Sequence, residues 1–201
     1  MVPQHIAIIP DGSRRYAKAH GISQVDAYSH GIEQIASMLE WLHGLGVRHV
    51  SAFAASGENV EKRSRMEMIA VFTVIGRVCQ RMRELPFAHL HTFGGLEGIP
   101  DWAPNRESIM ASGEPSDDQL TIHLGINYSG DNEQSRSQSS DVPAVDLLVR
   151  TGGQHRLSGF LPMQMQYAEL WFTDTLWPAF ERTEFEEALE WFSSQKRNFG
   201  H

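Results

Sequence analysis

Short apolar runs alternate along the chain with longer amphipathic stretches, and this alternation limits the possible folds more than any other feature. The apolar runs predict strands at 6–9, 47–55, 90–93, 120–126, 145–149 and 170–174. The amphipathic stretches predict a helix that opens at Arg14 and helices over 28–45, 65–85, 159–169 and 183–196. Strands that alternate with helices are typical of an α/β domain with a mainly parallel sheet. We expect one domain over residues 1–201.

The charge balance argues against nucleic acid as a partner. The chain has 17 Lys and Arg residues against 25 Asp and Glu residues, a net charge of −8, whereas a nucleic-acid surface needs a basic face. Its single cysteine, Cys79, excludes an internal disulfide and favours a reducing compartment. No apolar run approaches membrane-spanning length, and Asp11 comes too early for a signal peptide, so we expect a cytoplasmic protein without a transmembrane segment.

The first candidate site follows the first predicted strand, at Asp11-Gly12-Ser13-Arg14-Arg15. Ser13 is a good N-cap, and the free N–H groups of a helix N-terminus favour an anion. The guanidinium groups of Arg14 and Arg15 match the oxygen atoms of a phosphate group. A carboxylate among phosphates implies a bridging cation, so Asp11 indicates Mg²⁺. The alternative interpretation is a turn with a capping serine and two solvated arginines.

A second motif, Arg150-Thr-Gly-Gly-Gln-His-Arg156-Leu-Ser158, has the same layout of strand, glycine-rich turn, arginines and N-capped helix. Glu169 lies about three helical turns after Ser158 on the predicted helix and is a candidate second metal ligand; alternatively it is a surface residue. Ligands of parallel sheets bind beyond the carboxyl ends of the strands, where both motifs lie. The sequence therefore predicts a polyphosphate site in an otherwise acidic protein.

Two further segments are open to more than one interpretation. The polar group of Ser56, Glu58, Asn59 and Arg63 is either a lid over the phosphate site or a solvated loop. The Met- and Phe-rich stretch at 65–85 is either core or partly the lining of a hydrophobic pocket. The ten histidines show no metal-ligand spacing.

These motifs resemble those of the cis-prenyltransferases, the undecaprenyl diphosphate synthase family, nearly from end to end. The residues from His5 to Ala17 resemble the family's H-x-A-I-I-M-D-G-N-R-R-W-A, and those from Ala52 to Arg63 resemble A-F-S-x-E-N-W-x-R-P. Asn127-Tyr-Ser-Gly resembles N-Y-G-G-R. The most specific match joins the stretch from Asp146 to Leu161 with Tyr167-Ala-Glu169-Leu and Trp177-Pro-Ala-Phe180.

The resemblance implies a doubly wound parallel sheet flanked by helices, a hydrophobic tunnel, a homodimer and prenyl diphosphate substrates. It implies catalytic positions at Asp11, Ser13 and Asn59, and a Mg²⁺ site that Asp11 and Glu169 share. It also implies substrate-binding positions at Gly12, Arg14, Arg15, Tyr28, Ser56, Arg63, Arg150, Arg156 and Ser158.

The chain departs from the family pattern at several positions. Ser13 stands at the family Asn that is thought to orient the acceptor, Ala27-Tyr28 at its Gly-His, and Asn198 at the Arg of its C-terminal R-F-G. The segment between Asp131 and Ala144 is shorter than the family's helical insert. We therefore expect a short-chain prenyl diphosphate synthase, with regular or lavandulyl-type irregular coupling. The alternatives are a terpene cyclase on the same fold and a non-catalytic partner subunit.

Overall fold

The computed structural model describes residues 1–62, 64–111, 119–130, 137 and 139–196. Its strands are β1 (His5–Ile9), β2 (His49–Ser56), β3 (Ala88–Phe93), β4 (Leu120–Tyr128), β5 (Leu147–Arg150) and β6 (Glu169–Phe172). Its helices are α1 (Ser13–His20), α2 (Gln24–Gly44), α3 (Gly57–Lys62), α4 (Arg65–Arg83), α5 (Arg106–Met110) and α6 (Arg182–Ser194), with 3-10 turns at Leu96–Gly98 and Trp177–Ala179.

All six strands pair in parallel in one sheet, in the order β3-β4-β2-β1-β5-β6. From β1 the chain moves to β2 and then to β3 at one edge of the sheet. From β4 it moves back to β5 and then to β6 at the other edge. This reversal of direction confirms the doubly wound parallel sheet, and each predicted strand is present within a few residues of its predicted limits.

One face of the sheet carries the main hydrophobic core. Alternate strand side chains, among them Ile8, Val50 and Leu124, pack there with apolar residues of α2, α4 and α6. Parallel strands bury such side chains most effectively when helices cover them, and this face is covered in that way. The periodicity that predicted helices over 28–45, 65–85 and 183–196 therefore reflects this packing.

The opposite face is covered in a different way, by the irregular segments 139–146 and 151–168, which pack on Phe93 and Tyr128. The helix predicted over 159–169 is wrong. Ser158, Gly159 and Leu161 have left-handed backbone angles, with φ of 51°, 75° and 44°, which a right-handed helix cannot include. The backbone N–H of Gly130 also donates to the carbonyl of Gly159 at 3.1 Å, so this segment is bound to the end of β4.

Two other local predictions need correction. α2 begins one turn earlier than predicted, because the Ser23 side chain accepts a hydrogen bond from the Asp26 backbone at 3.1 Å and caps the helix there. The predicted polar loop at 56–59 is the end of β2 followed by α3. Charged and polar residues, rather than an apolar period, form this short helix, so the sequence pattern gave no helical signal.

Four histidines form a row across the amino end of the sheet, on the face that also carries Ala7 and Phe93. The side chains of His91 and His123 are joined through their Nδ1 atoms at 3.0 Å, and His123 Nε2 lies 3.2 Å from Nδ1 of His49. His5 packs beside them and bonds to Ser51 Oγ at 2.8 Å. Hydrogen bonds thus join His91, His123 and His49. Among the described residues no group of three or more His, Cys, Asp or Glu side chains could hold a metal ion.

A large cavity lies between the main-core face of the sheet and helices α2 and α4. Its volume is about 1190 Å³, and it opens at the carboxyl ends of β1, β2 and β5. Apolar side chains line its deeper part, including Ile32, Ile35 and Leu39 of α2, Val74, Val78 and Met82 of α4, and Val50, Ile122 and Leu124 of the sheet. Part of the predicted 65–85 helix therefore does line a hydrophobic tunnel. No helix in the described part of the chain is long and apolar enough to span a membrane.

Candidate functional site

The mouth of the cavity lies beyond the carboxyl ends of β1 and β5, where the chain leaves these two neighbouring strands in opposite directions. β1 and β5 are paired, with Ile9 level with Arg150. The chain continues from β1 toward one edge of the sheet and from β5 toward the other. Loops that diverge in this way leave a crevice beyond the strand ends, and ligands of doubly wound sheets bind there. The two predicted arginine motifs are the loops that form this crevice.

Asp11 lies at the centre of the crevice between two guanidinium groups. Its Oδ2 accepts a hydrogen bond from Nη2 of Arg150 at 3.1 Å, and its Oδ1 accepts one from Nη2 of Arg15 at 3.2 Å. The Asp11 side chain is 34% exposed, whereas that of Arg150 is 4% exposed. The structure thus brings together the carboxylate and one arginine from each motif, as the sequence predicted.

The backbone of Asp11 is held from two sides. Its N–H donates to Oγ1 of Thr151 at 3.0 Å, and the same hydroxyl donates to the Asp11 carbonyl at 2.9 Å. The Trp177 backbone N–H also donates to that carbonyl, at 3.0 Å. These contacts connect the ends of β1 and β5 with the 3-10 turn after β6, so the Asp11 carboxylate has a fixed position.

Gly12, and not Ser13, occupies the cap position of α1. Its φ is 112°, and a Cβ placed there would lie 3.0 Å from the Cα of Leu176. Only glycine combines that backbone angle with so close an approach. Ser13 is instead the first helical residue and is buried at 7% exposure. The predicted N-cap role of Ser13 is therefore wrong, although the N-terminus of α1 does face the crevice.

Arg150 connects Asp11 to the second motif. Its Nη1 donates to Oγ of Ser158 at 2.9 Å and to the carbonyl oxygen of Arg156. Burial lowers the pKa of Arg150, and its hydrogen bond and charge attraction to Asp11 oppose that shift. Its Nε is buried and has no hydrogen-bond partner among the described residues. A buried N–H without an acceptor is costly.

The remaining cationic residues surround this centre. Arg14 and Arg156 are exposed and line the mouth of the cavity, and Lys18, one turn after Arg14 on α1, also lines it. The guanidinium of Arg156 donates to Oε1 of Gln154 at 2.6 Å. Ser158 lines the mouth as well, in a left-handed turn and not at a helix start. An acidic chain has thus concentrated positive charge at one opening.

The polar residues of the α3 region are only partly described. Tyr28 of α2 and Ser56 at the end of β2 both line the cavity. The backbone of Asn59 is in α3, whereas the Arg63 prediction lies outside the described residues. The structure therefore places Tyr28 and Ser56 at the cavity, and the roles of Asn59 and Arg63 stay predictions.

Glu169 does not reach Asp11 within one chain. It is the first residue of β6 and pairs with Leu147, the first residue of β5. Phe172, three residues later, is level with Arg150, so Glu169 lies about 10 Å back along the strand from the carboxyl edge. Because Asp11 follows the carboxyl end of β1 and Glu169 lies at the amino end of β6, the two carboxylates cannot bind one ion in the same protomer.

Three residues at the site were not identified from the sequence. Thr151 fixes the Asp11 backbone, Leu176 packs on Gly12, and the side chain of Trp177 lines the cavity. Thr151 and Trp177 stand in motifs that resemble the family's R-T-S-G and W-P-x-F. Their place in these motifs could have marked them as site residues. Nothing local in the sequence, however, shows that the segment after β6 packs against the loop after β1.

A family model described as "Putative undecaprenyl diphosphate synthase" matches residues 9–140 and 134–200. The chain belongs to the undecaprenyl diphosphate synthase family. Both arginine motifs and the Trp177 turn fall within the matched residues, so the resemblance predicted from those motifs is confirmed. The fold of this family brings Arg150 to Asp11 and Arg15 although Asp11 and Arg150 are 139 positions apart in the sequence.

Curated relatives agree along the whole length of the chain. An isoprenyl transferase of Aquifex aeolicus is 32% identical over 223 residues, which cover 99% of this chain and 96% of that protein. A tritrans,polycis-undecaprenyl-diphosphate synthase (geranylgeranyl-diphosphate specific) of Pyrobaculum aerophilum is 34% identical over 232 residues, with the same coverage of 99% and 96%. These relatives place the family member described here among the prenyltransferases of isoprenoid biosynthesis.

Solved structures support the same fold. Lavandulyl diphosphate synthase from Lavandula x intermedia, in complex with dimethylallyl diphosphate, superposes with a TM-score of 0.82 at 22% identity, covering 100% of this chain and 99% of that one. A probable undecaprenyl diphosphate synthase from Campylobacter jejuni gives a TM-score of 0.78 at 26% identity, covering 99% of both chains. The single-domain parallel fold is thus shared with two synthases. The comparisons give no support to the terpene cyclase alternative.

Proposed function

We propose that this family member is a short-chain prenyl diphosphate synthase, which joins an allylic diphosphate to an isopentenyl-type diphosphate with loss of one diphosphate. One observation carries the proposal: the cluster of Asp11, Arg15 and Arg150 lies at the mouth of an apolar cavity of about 1190 Å³. The cluster suits a diphosphate, and the cavity suits the hydrocarbon chain attached to it.

The residues of the first motif would hold the allylic diphosphate. The N-terminus of α1 presents free N–H groups, and Arg14 and Arg15 add two cations beside it. When the bond between the allylic carbon and the diphosphate oxygen breaks, negative charge grows on the departing group. Cationic groups already in place stabilise that charge without rearranging. Positive charge develops on the allylic carbon inside the cavity, away from water.

The residues of the second motif would hold the isopentenyl-type diphosphate. Arg156 and Ser158 line the mouth beside Arg150. The alkene of this second substrate attacks the allylic carbon, which leaves a positive charge on its tertiary carbon. A proton then leaves a carbon next to that cationic centre, and a new double bond forms. The product keeps the second diphosphate and gains the allylic chain, which extends into the cavity.

The Asp11 carboxylate fits a Mg²⁺ site that the substrate completes. Its side chain is 34% exposed at the mouth, and Mg²⁺ commonly binds one or two carboxylates together with substrate phosphates. Bound there, the ion would neutralise charge on the departing diphosphate. Glu169 would take part only as a residue of another protomer, because in its own sheet it lies at the amino ends of the strands, away from Asp11. The proposed homodimer would provide such a protomer.

The proposed short product rests on the departures from the family pattern. Ser13 stands where elongating members have Asn, and the segment between Asp131 and Ala144 is short. The cavity volume exceeds the ~300–1,000 Å³ of typical ligand pockets, so its volume alone does not require a short product. The structure of the product distinguishes regular from irregular coupling.

The single buried cysteine, Cys79, is consistent with the proposed cytoplasmic location.

The test is an incubation of the purified protein with dimethylallyl, geranyl or farnesyl diphosphate, with and without isopentenyl diphosphate, in Mg²⁺ or in EDTA. We expect a larger prenyl diphosphate of few isoprene units that forms only with Mg²⁺. Dimethylallyl diphosphate alone forms a larger product only in an irregular coupling. A hydrocarbon or alcohol made from one substrate would favour a cyclase, and absence of product throughout would overturn the enzymatic proposal.

Asp11→Asn and Asp101→Asn form a matched pair for the same assay. The Asp101 side chain is fully exposed, so its variant controls for the loss of a surface charge. We expect Asp11→Asn to lower kcat by about a hundredfold or more, because the Mg²⁺ that would neutralise the departing diphosphate loses its carboxylate ligand. Equal rates for the two variants would remove Asp11 from the proposed mechanism.

A further inference from the structure

Gly31 and Trp177 meet on the wall of the cavity next to the diphosphate site. Gly31 lies in α2, and Trp177 begins the 3-10 turn after β6. A Cβ added to Gly31 would lie 2.5 Å from Nε1 and 2.7 Å from Cδ1 of the indole ring. Carbon atoms do not approach so closely, so the ring occupies space that any other residue at position 31 would need. Both residues line the cavity.

The backbone of Trp177 is held firmly at the site. Its N–H donates to the carbonyl of Asp11 at 3.0 Å. Just before it, the carbonyls of Thr173 and Thr175 each accept a bond of 2.8 Å, from Gly153 and Gly152 respectively. A side chain at position 31 therefore cannot displace this turn without moving Asp11, and the indole ring or α2 must shift instead.

This contact lies at the entrance to the apolar part of the cavity. Along α2, the cavity-lining residues Tyr28, Gly31, Ile35 and Leu39 follow one another at about one turn, over roughly 16 Å of helix. Trp177, whose backbone N–H donates to Asp11, contacts this row at Gly31, near its Tyr28 end. A prenyl chain that extended from Asp11 along the row toward Ile35 and Leu39 would pass the indole ring on the way.

We propose that Gly31 and Trp177 together determine which allylic diphosphates the enzyme accepts, by setting the width of the cavity entrance. The inference rests on the proposed function, because it assumes that the cavity holds a prenyl chain. Dimethylallyl diphosphate would end at the entrance, whereas geranyl diphosphate must extend through it. The glycine leaves room for the indole ring, and the ring forms the wall that the chain contacts.

The test compares Gly31→Ala, Trp177→Phe and the double variant with Gly44→Ala. Gly44 is in the same helix, and a Cβ there meets nothing within 4 Å, so it controls for the added methyl group. Alanine is a better helix former than glycine, so the substitution favours α2 itself. Dissociation constants of dimethylallyl and geranyl diphosphate are measured by calorimetry, together with kcat/KM for each where turnover is seen.

We expect Gly31→Ala to lower the preference for geranyl over dimethylallyl diphosphate by about tenfold or more, the usual effect of one methyl group in an apolar pocket. Trp177→Phe should raise that preference, and the double variant should return toward the wild-type ratio. Gly44→Ala should keep the wild-type ratio. An unchanged ratio in both single variants, or equal weakening for both ligands, would overturn the inference.

Binding also separates this inference from the proposed function. If the wild-type protein binds both diphosphates but joins neither to isopentenyl diphosphate, the synthase proposal fails while the binding ratios still test the entrance. If the wild-type protein joins them to isopentenyl diphosphate and the variants keep the wild-type preference between geranyl and dimethylallyl diphosphate, only the entrance proposal fails. If the wild-type protein binds neither diphosphate, both fail.

Discussion

The histidine row predicts a specific loss of stability in acid. Burial is the main cause that lowers the pKa of His5 to about 4 and that of His123 to about 2, against an ordinary value of 6.5. Neighbouring histidines lower both values further, whereas Asp146 opposes the shift at His5. The pKa values of His49 and His91 are also lowered by burial, reinforced by Arg48 at His49 and opposed by Asp141 at His91.

The sign and size of the effect follow from proton uptake. These side chains are neutral in the folded protein and take up protons on unfolding below pH 6.5, so stability is present above that pH and falls as pH decreases toward the folded pKa. Each histidine contributes about 1.4 kcal/mol per pH unit in that window. His5 and His123 together therefore approach about 3 kcal/mol per pH unit between pH 6 and 4, a large share of the ~5–15 kcal/mol that holds a domain folded.

The assay is urea unfolding at pH 7.5, 6.5, 5.5 and 4.5, on the wild type, His123→Gln and the control His30→Gln. His30 is exposed on α2, and its variant should keep the wild-type slope of unfolding free energy against pH. We expect His123→Gln to reduce that slope by about 1.4 kcal/mol per pH unit between pH 6 and 4. The same slope in all three proteins would refute the assignment of acid lability to the row.

Three further changes test the site itself. Gly12→Ala should cost more stability in urea unfolding than Gly21→Ala, because both have positive φ but only Gly12 lacks room for a Cβ; equal losses would contradict the close packing. Arg150→Lys should weaken binding of inorganic diphosphate by about tenfold or more in calorimetry, since one ammonium cannot replace a guanidinium fork; unchanged affinity would remove Arg150 from the anion site. Thr151→Val should lower kcat through the displaced Asp11 backbone, and Thr151→Ser should restore it; equal rates in the two variants would contradict this role.

Local signals in the sequence were sufficient for the sheet and for the first motif. Short apolar runs placed the six strands, and the position of Asp11 and Arg150 at strand ends predicted that they would meet. The approach is general for parallel sheets because the carboxyl ends of all strands share one edge. The large cavity could be anticipated only in part, since the Met- and Phe-rich stretch of α4 has the same composition as a core helix.

Other features depend on contacts between distant segments. The stretch from Ser158 to Glu169 has helical periodicity, yet Leu161 has a φ of 44° and is fully buried. Packing on the sheet and the bond from Gly130 override the local preference there. Glu169 was a candidate metal ligand because of its position after Ser158 and because of the family resemblance, whereas its pairing with Leu147 places it at the amino end of the sheet. The roles of Thr151 and Trp177 depend on contacts with Asp11 from the loop after β5 and the turn after β6.

The pairing of β1 with β5 has a consequence for folding. The ion pair of Asp11 and Arg150 joins residues 139 positions apart, so the anion site cannot exist until most of the chain has been synthesised and the sheet has closed around β1. Contacts of such sequence separation form slowly, because the entropy of a long loop must be overcome first. A diphosphate that binds only the closed sheet stabilises that late state by mass action. Availability of substrate would therefore protect newly made chains from proteolysis at the step where they are most exposed.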